Sequence, residues 1–128
     1  MTLYTRTTND IKVDVQPVYI ESKSSVIGHR HVFVYYINVH NHSNETVTLR
    51  RRYWKIYDDY GETHQVEGEG VIGKQPAIKP GKTFSYNSFS VLKSLRGSME
   101  GYYEMEKENG ETVKVTIPKF SLVSHLLN

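Results

Sequence analysis

From Ile11 onward the hydrophobic residues of this 128-residue chain recur at every second position, and no window of about eleven or more residues carries a convincing helical stripe. A period of two belongs to strands, whose successive side chains point to opposite faces of a sheet. Ile11, Val13, Val15 and Tyr19 alternate with Lys12, Asp14, Gln16 and Ile20, and Pro17 interrupts the run, which predicts an edge strand or a bulge there. Residues 32–39 are β-branched or aromatic on both parities and read as a central strand covered on both faces. A polar turn, residues 40–45, follows. In the next run Val47 and Leu49 share one parity while Trp54 and Ile56 share the other, so a single bulge within residues 50–53 is needed to bring all four to the core face. The alternative is that Trp54 faces outward.

Turn chemistry punctuates the remainder. Asp58-Asp59-Tyr60-Gly61 reads as a turn closed by a left-handed glycine, before a short strand at residues 63–66. Lys79-Pro80-Gly81-Lys82 fits a type II turn, residues 83–89 alternate again, and residues 92–95 form one helical turn at most. The clearest hairpin joins residues 101–105 to residues 113–117 through Asn109-Gly110, a pair suited to a primed turn, with Tyr103 and Met105 facing the core alongside Val113, Val115 and Ile117. Seven or so short strands without helices predict one domain over residues 1–128, an immunoglobulin or fibronectin type III-like β-sandwich, with a small closed barrel as the other solution.

Composition narrows the function. The chain has no cysteine, which excludes a disulfide scaffold, a thiolate zinc site and a cysteine nucleophile, and fits a reducing compartment. Sixteen basic against fourteen acidic residues leave a net charge of +2, an argument against a dedicated nucleic-acid binder. No apolar segment approaches the ~20 residues of a membrane helix, and the N-terminus shows no secretory signal. The chain is therefore expected in the cytoplasm.

Several motifs carry a more specific resemblance. Arg52-Tyr53-Trp54-Lys55-Ile56-Tyr57-Asp58 followed by Gly61, the stretch from Gly68 to Gly81 (GEGVIGKQPAIKPG), Phe84-Ser85-Tyr86-Asn87-Ser88, residues 97–105 and residues 117–122 occur in one register along nearly the whole chain. In these the sequence resembles the ApaG family. It departs from that pattern at Phe89, where many members have a small residue, and in the tail at residues 124–128, which lacks an expected proline. The resemblance implies a fibronectin-type sandwich and a family whose bacterial members are linked by name to cobalt and magnesium resistance. It also implies a kinship with domains of larger eukaryotic proteins, an F-box protein and a polymerase-interacting protein, that look like partner-binding modules. It supplies no catalytic residue.

Three constellations remain as candidate sites. Gly68, Gly70 and Gly73 spell the spacing of a dinucleotide fingerprint, which in a Rossmann unit sets pyrophosphate on a helix N-terminus. Here Gln75-Pro76 and Pro80-Gly81 break the chain where that helix would stand, and no βαβ unit surrounds it. The glycines are then either structural, taking positive φ or fitting beneath a side chain, or they form a loop whose amides hold a phosphate-bearing ligand. The second constellation, Arg50-Arg51-Arg52-Tyr53-Trp54, joins arginine forks to aromatic faces, as interface hot spots do. Two readings of it stand: a partner-binding face, or Trp54 as core anchor with the arginines paired to acids such as Asp58 and Glu62. The third is ionic. His29-x-His31 and His40-x-His42 would each set two imidazoles on one face of an extended strand, a start on a transition-metal site, but no third ligand is evident. Glu100, Glu104, Glu106 and Glu108 share a parity, as on a solvated face protecting an edge strand. Nothing resembles Gly-x-Ser-x-Gly.

The expectation is a non-enzymatic interaction module with no cofactor and no metal. Gly68, Gly70, Gly73, Arg52, Trp54 and Gln75 would form its ligand or partner surface, the partner being a protein or a small phosphate-bearing ligand. Divalent cation homeostasis is the setting that the resemblance implies. Self-association through a sheet edge is the remaining alternative.

Overall fold

Two antiparallel sheets carry the regular structure of residues 2–127, the part of the chain described by the computed structural model. The strands are β1 (Tyr4–Thr8), β2 (Ile11–Tyr19), β3 (His31–Asn41), β4 (Val47–Asp58), β5 (Thr63–Glu69), β6 (Ala77–Ile78), β7 (Thr83–Leu92), β8 (Arg96–Lys107) and β9 (Thr112–Val123), with single 3₁₀ turns at Glu21–Lys23 and His125–Leu127. One sheet has the order β1-β2-β3-β7 and the other β5-β4-β8-β9, with β6 also paired to β4. The alternating residues drive this arrangement. Val13, Val15, Phe33, Ile37 and Val39 of the first sheet meet Leu49, Trp54, Met99, Tyr103, Val115 and Phe120 of the second in one buried cluster. This is the expected immunoglobulin or fibronectin type III-like sandwich, all-β and without an α-helix among the described residues.

The parity conflict in β4 is resolved by a bulge. Leu49 pairs with Met105 of β8 and Arg51 with Glu104, so Arg50 is the extra residue. Val47, Leu49 and Trp54 are consequently all buried, and Trp54 is only 3% exposed. Pro17 also has a place that its chemistry requires. β2 lies between β1 and β3, but β1 pairs only as far as Val15, so from Pro17 onward β2 is an edge, and the ring occupies a position whose missing N–H would have pointed away from β3.

Other expectations need correction. β3 is central, between β2 and β7, yet only its inner face is covered: Tyr36 on the outer face is 47% exposed. The primed hairpin turn is at Asn9-Asp10, not at Asn109-Gly110. Thr8 pairs with Ile11, and both intervening residues take positive φ (48° and 63°). At the β8–β9 hairpin the Lys107 N–H donates to Glu111 O and the Gly110 N–H to Lys107 O, a three-residue loop ending in a left-handed glycine. The extra residue changes the turn type because a glycine at the third loop position can close a type I turn with a bulge. Leu92 ends β7 and residues 93–95 form a bend, not a helical turn.

Candidate functional site

The sandwich has an open side between β7 and β5, where Arg52 and Trp54 line a cleft and Gly68 and Gly70 pack against Arg52. β5 pairs with residues 51–57 of β4 and β6 with Val47 and Thr48, so β5 and β6 are two halves of one edge strand, interrupted opposite Arg50. The glycine-rich loop is the excursion between them. The Arg50 carbonyl accepts hydrogen bonds from the Gly70 N–H and from Gln75 Nε2, Arg50 Nη1 donates to Gln75 Oε1, and the Leu49 N–H donates to Pro76 O. Gln75 thus serves as a clamp on the bulge.

Within the loop Val71 and Lys74 exchange both main-chain hydrogen bonds across Ile72 and Gly73, which take positive φ. Gly70, at φ +61°, is pressed so closely against the chain that a Cβ would lie 2.1 Å from the Lys74 carbonyl oxygen. Gly68 lies beneath Arg52: a Cβ there would sit 3.1 Å from Nη1. Arg52 Nη1 reaches over it to donate to the carbonyls of Glu69 (3.1 Å) and Gly70 (3.0 Å). The amides of Gly70, Val71 and Lys74 are therefore already bonded within the protein, and β6, not a helix, follows the loop. The dinucleotide spacing reflects close packing of backbone, and it leaves little of the amide nest that a phosphate requires.

A cleft of about 270 Å³ opens between the sheets at this point. Its rim is apolar, formed by Val66 of β5, Ile72 of the loop and Phe89 of β7. Its floor is formed by Trp54, Met99 and a group of hydroxyl-bearing side chains, among them Tyr35 and Tyr86, with Arg52 on the wall. Trp54 packs tilted against Tyr35 at 5.4 Å and edge-on to Phe120 at 5.9 Å, which makes it the core anchor. Burial pushes the Tyr86 hydroxyl far up, against the opposing effects of its hydrogen bond to Tyr103 and of the Arg52 charge; burial likewise raises Tyr35 and Tyr103. These hydroxyls stay protonated and serve as hydrogen-bonding groups.

The expected pairing of the arginines with Asp58 and Glu62 does not occur. Arg50 pairs with Glu106 at 2.8 Å, while Glu62 takes Lys93 and His64. Asp58 is engaged by the Ser94 hydroxyl and by the Lys93 and Tyr60 N–H groups. Arg52 has no ion pair among the described residues, and its Nε and Nη2 donors have no protein acceptor there. Strand parity separates the three arginines, as the sequence implied, but the bulge at Arg50 returns Arg52 to the inner side, where it lines the cleft.

The ionic candidates come apart. His31 is buried against the Tyr19 hydroxyl (3.0 Å), whereas His29 has a left-handed φ of 51° and turns outward to Tyr60, so the two imidazoles share no face. His40 and His42 do lie together, rings parallel at 5.9 Å, but no group of three or more acidic or histidine side chains is arranged to hold a metal ion among the described residues. β8 is not an edge strand. Glu100 accepts from the Tyr57 hydroxyl, Glu106 binds Arg50 and Glu108 accepts from the Thr46 N–H.

Two features escaped the sequence reading. On the outer face of the first sheet a hydrogen-bonded row runs from Thr5 through Asp14 and His40 to Thr83, with successive distances of 2.8, 2.8 and 2.7 Å. It joins four strands, so no local spacing could have announced it. Asp14 at its centre is buried, and the row lies away from the cleft. A larger depression of about 550 Å³ lies beside the second half of β2, where β1 no longer covers it; Thr2, Pro17 and Ser124 are in its lining.

Comparison with known proteins agrees with this architecture. The family model described as the ApaG domain matches residues 21–107. The chain is 46% identical over 122 residues to Protein ApaG of Sinorhizobium fredii, covering 95% of this chain and 94% of that protein. It is 44% identical over 116 residues to Protein ApaG of Proteus mirabilis, covering 91% and 93%. Among solved structures it is similar to the putative ApaA protein of Bordetella pertussis, with a TM-score of 0.88 and 34% identity over 91% of this chain and 94% of that one.

Proposed function

The chain belongs to the ApaG family, and from that premise we propose that it is a binding module, not an enzyme, that receives a protein partner at the open side between β7 and β5. One observation carries the reading. The Arg52 guanidinium is fixed by two main-chain carbonyls in an apolar-rimmed cleft and lacks an acidic partner among the described residues. A partly covered cation is stabilised by an opposite charge, and arginine presents a fork that a carboxylate matches. Apolar rim and unpaired cation together favour a ligand with an apolar body and an anionic group, as a protein segment can supply.

The cleft lining favours binding over chemistry. Its side chains include no carboxylate, imidazole or amine that could move a proton, and its tyrosines are held protonated by burial. No helix among the described residues is long and apolar enough to cross a membrane. A role in cobalt and magnesium homeostasis, the setting that the family implies, would be exercised through the partner.

The test is affinity capture from native cytosol by the wild-type chain, by Arg52→Met and by Ile72→Glu, with bound species identified. Ile72 is an exposed rim residue, so its replacement spares the loop, whereas any side chain at Gly70 meets Lys74. Species recovered by the wild type and lost from both variants support the site. Equal recovery by all three removes it.

A further inference from the structure

The four sheet edges are not protected alike. β1 is five residues long and contains Arg6. β5 carries His64, Glu67 and Glu69. β9 carries Lys114 and Lys119 and is bulged beside Pro118, where its register against β8 shifts. Shortness, charge, proline and bulges are the usual means by which an edge strand avoids pairing with another chain. β7 has none of them. Its ten residues, TFSYNSFSVL, contain no charge, proline or glycine, and it pairs with β3 along its length without a register shift.

The free side of β7 is also chemically open. The Asn41 N–H donates to Lys82 O at the start of the β3–β7 ladder, so residues 84, 86, 88, 90 and 92 direct their main-chain groups at β3. Residues 83, 85, 87, 89 and 91 direct theirs outward, where they invite a strand. Phe89, 63% exposed, and Val91, 40% exposed, add apolar surface to this edge. Tyr86, Ser88 and Ser90 of the same strand line the cleft that contains Arg52.

We propose that β7 is an acceptor edge onto which an extended segment of a protein partner adds as a further strand, with a carboxylate on its cleft-facing side held by Arg52. This rests on the reading of the open side as the docking site and specifies how that site is used. Strand addition supplies main-chain hydrogen bonds for affinity, and alternate side chains directed into pockets supply specificity. A segment laid along β7 sends every second side chain over the cleft, where the unpaired guanidinium selects an acid. A second copy of the chain fits the edge less well. Joining two β7 strands about a twofold axis sets the β5 edges of the two copies side by side, and each carries Glu67 and Glu69.

The test uses random decapeptides displayed on phage and selected on the full chain. The expected enrichment is for alternating apolar residues with one Asp or Glu at a fixed place. Adding the selected peptide should slow amide exchange at residues 85, 87, 89 and 91. Asn87→Pro, which removes an outward N–H, and Phe89→Lys, which charges the edge, should each weaken binding at least tenfold with the melting transition retained. Replacing the peptide's acid by its amide should cost about tenfold against the wild type and nothing against Arg52→Met, the signature of a direct pair. Loss of binding in Arg52→Met with full binding in both edge variants overturns strand addition and leaves the cleft. Loss in the edge variants alone, with no effect of Arg52→Met, overturns the carboxylate pairing. Failure of any peptide to enrich removes both. A wild-type dimer in sedimentation that Phe89→Lys disperses assigns the edge to a second copy and also overturns the proposal.

Discussion

Where β1 leans on β9, the sandwich is sealed; where β7 faces β5, it is not. On the sealed flank Tyr4 packs its ring 6.1 Å from Phe120, Phe120 continues to Tyr35 and Trp54, and the Thr116 N–H donates to Thr8 Oγ1. On the open flank the edge of the second sheet is split into β5 and β6 by the glycine-rich loop, and no comparable packing joins β5 to β7 among the described residues. The first flank uses its aromatic residues for stability. The second leaves Val66, Ile72 and Phe89 at the surface around a fixed cation, an arrangement that gains free energy only when something covers it.

The contrast predicts a graded series of substitutions, measured by chemical denaturation. Phe120→Ala should be the most damaging, at about 3–5 kcal/mol, because it removes a fully buried ring from the seal and leaves a cavity among three other aromatic residues. A cost below about 1 kcal/mol would mean that the two flanks do not differ as described. Gly70→Ala follows at about 2–4 kcal/mol, since its Cβ strikes the Lys74 carbonyl and its φ is positive. Gly73→Ala, equally left-handed but in open space, should cost only about 1 kcal/mol, and equal effects at the two glycines would contradict the close-packed loop.

Asp58 gives a third, pH-dependent rung. Burial pushes its carboxyl up, but the Ser94 hydroxyl and the N–H groups of Tyr60, Lys93 and Ser94 outweigh burial, and the group titrates below its ordinary value. A carboxyl lowered by folding contributes stability above its unfolded pKa of about 4 and loses it as pH falls through the folded value. Asp58→Asn should therefore cost about 1–3 kcal/mol at neutral pH and flatten the acid limb of the stability curve below about pH 4. An acid limb unchanged from wild type would show that these bonds do not hold the end of the molecule.

The side chains that border the cleft on the open flank should respond less than Phe120. Arg52→Met is expected to cost about 1–2 kcal/mol, because two hydrogen bonds to main-chain carbonyls are lost while the side-chain stem is retained. Phe89→Ser should change stability by about 0.5 kcal/mol or less. A larger loss at Phe89 would mean that its ring packs into the core and that β7 is not available as an edge.

What the residues alone determined is the secondary structure and the layer it forms. Alternation from Ile11 onward, the parity break between Leu49 and Trp54, and Gly81 in its type II turn, with the Lys82 N–H bonded to Lys79 O, are local signals, and local sterics decide them. The ApaG resemblance was legible for the same reason, since its motifs are contiguous. The hairpin turns were harder because a loop one residue longer changes the turn, and a sequence does not state where pairing ends. The site was half legible. Arg52 does meet Gly68 and Gly70, and Gln75 lies against Gly70, but Gly73 stands in open space, Trp54 is core, Gln75 is a clamp and Gly68 is a seat for a guanidinium. Tertiary structure decided those roles, and it placed Arg52 away from Asp58 and Glu62, left β7 paired on one side only among the described residues and aligned Thr5, Asp14, His40 and Thr83 across four strands. Each depends on which strands lie side by side, and that is settled by burying two sheet faces together, far apart along the chain.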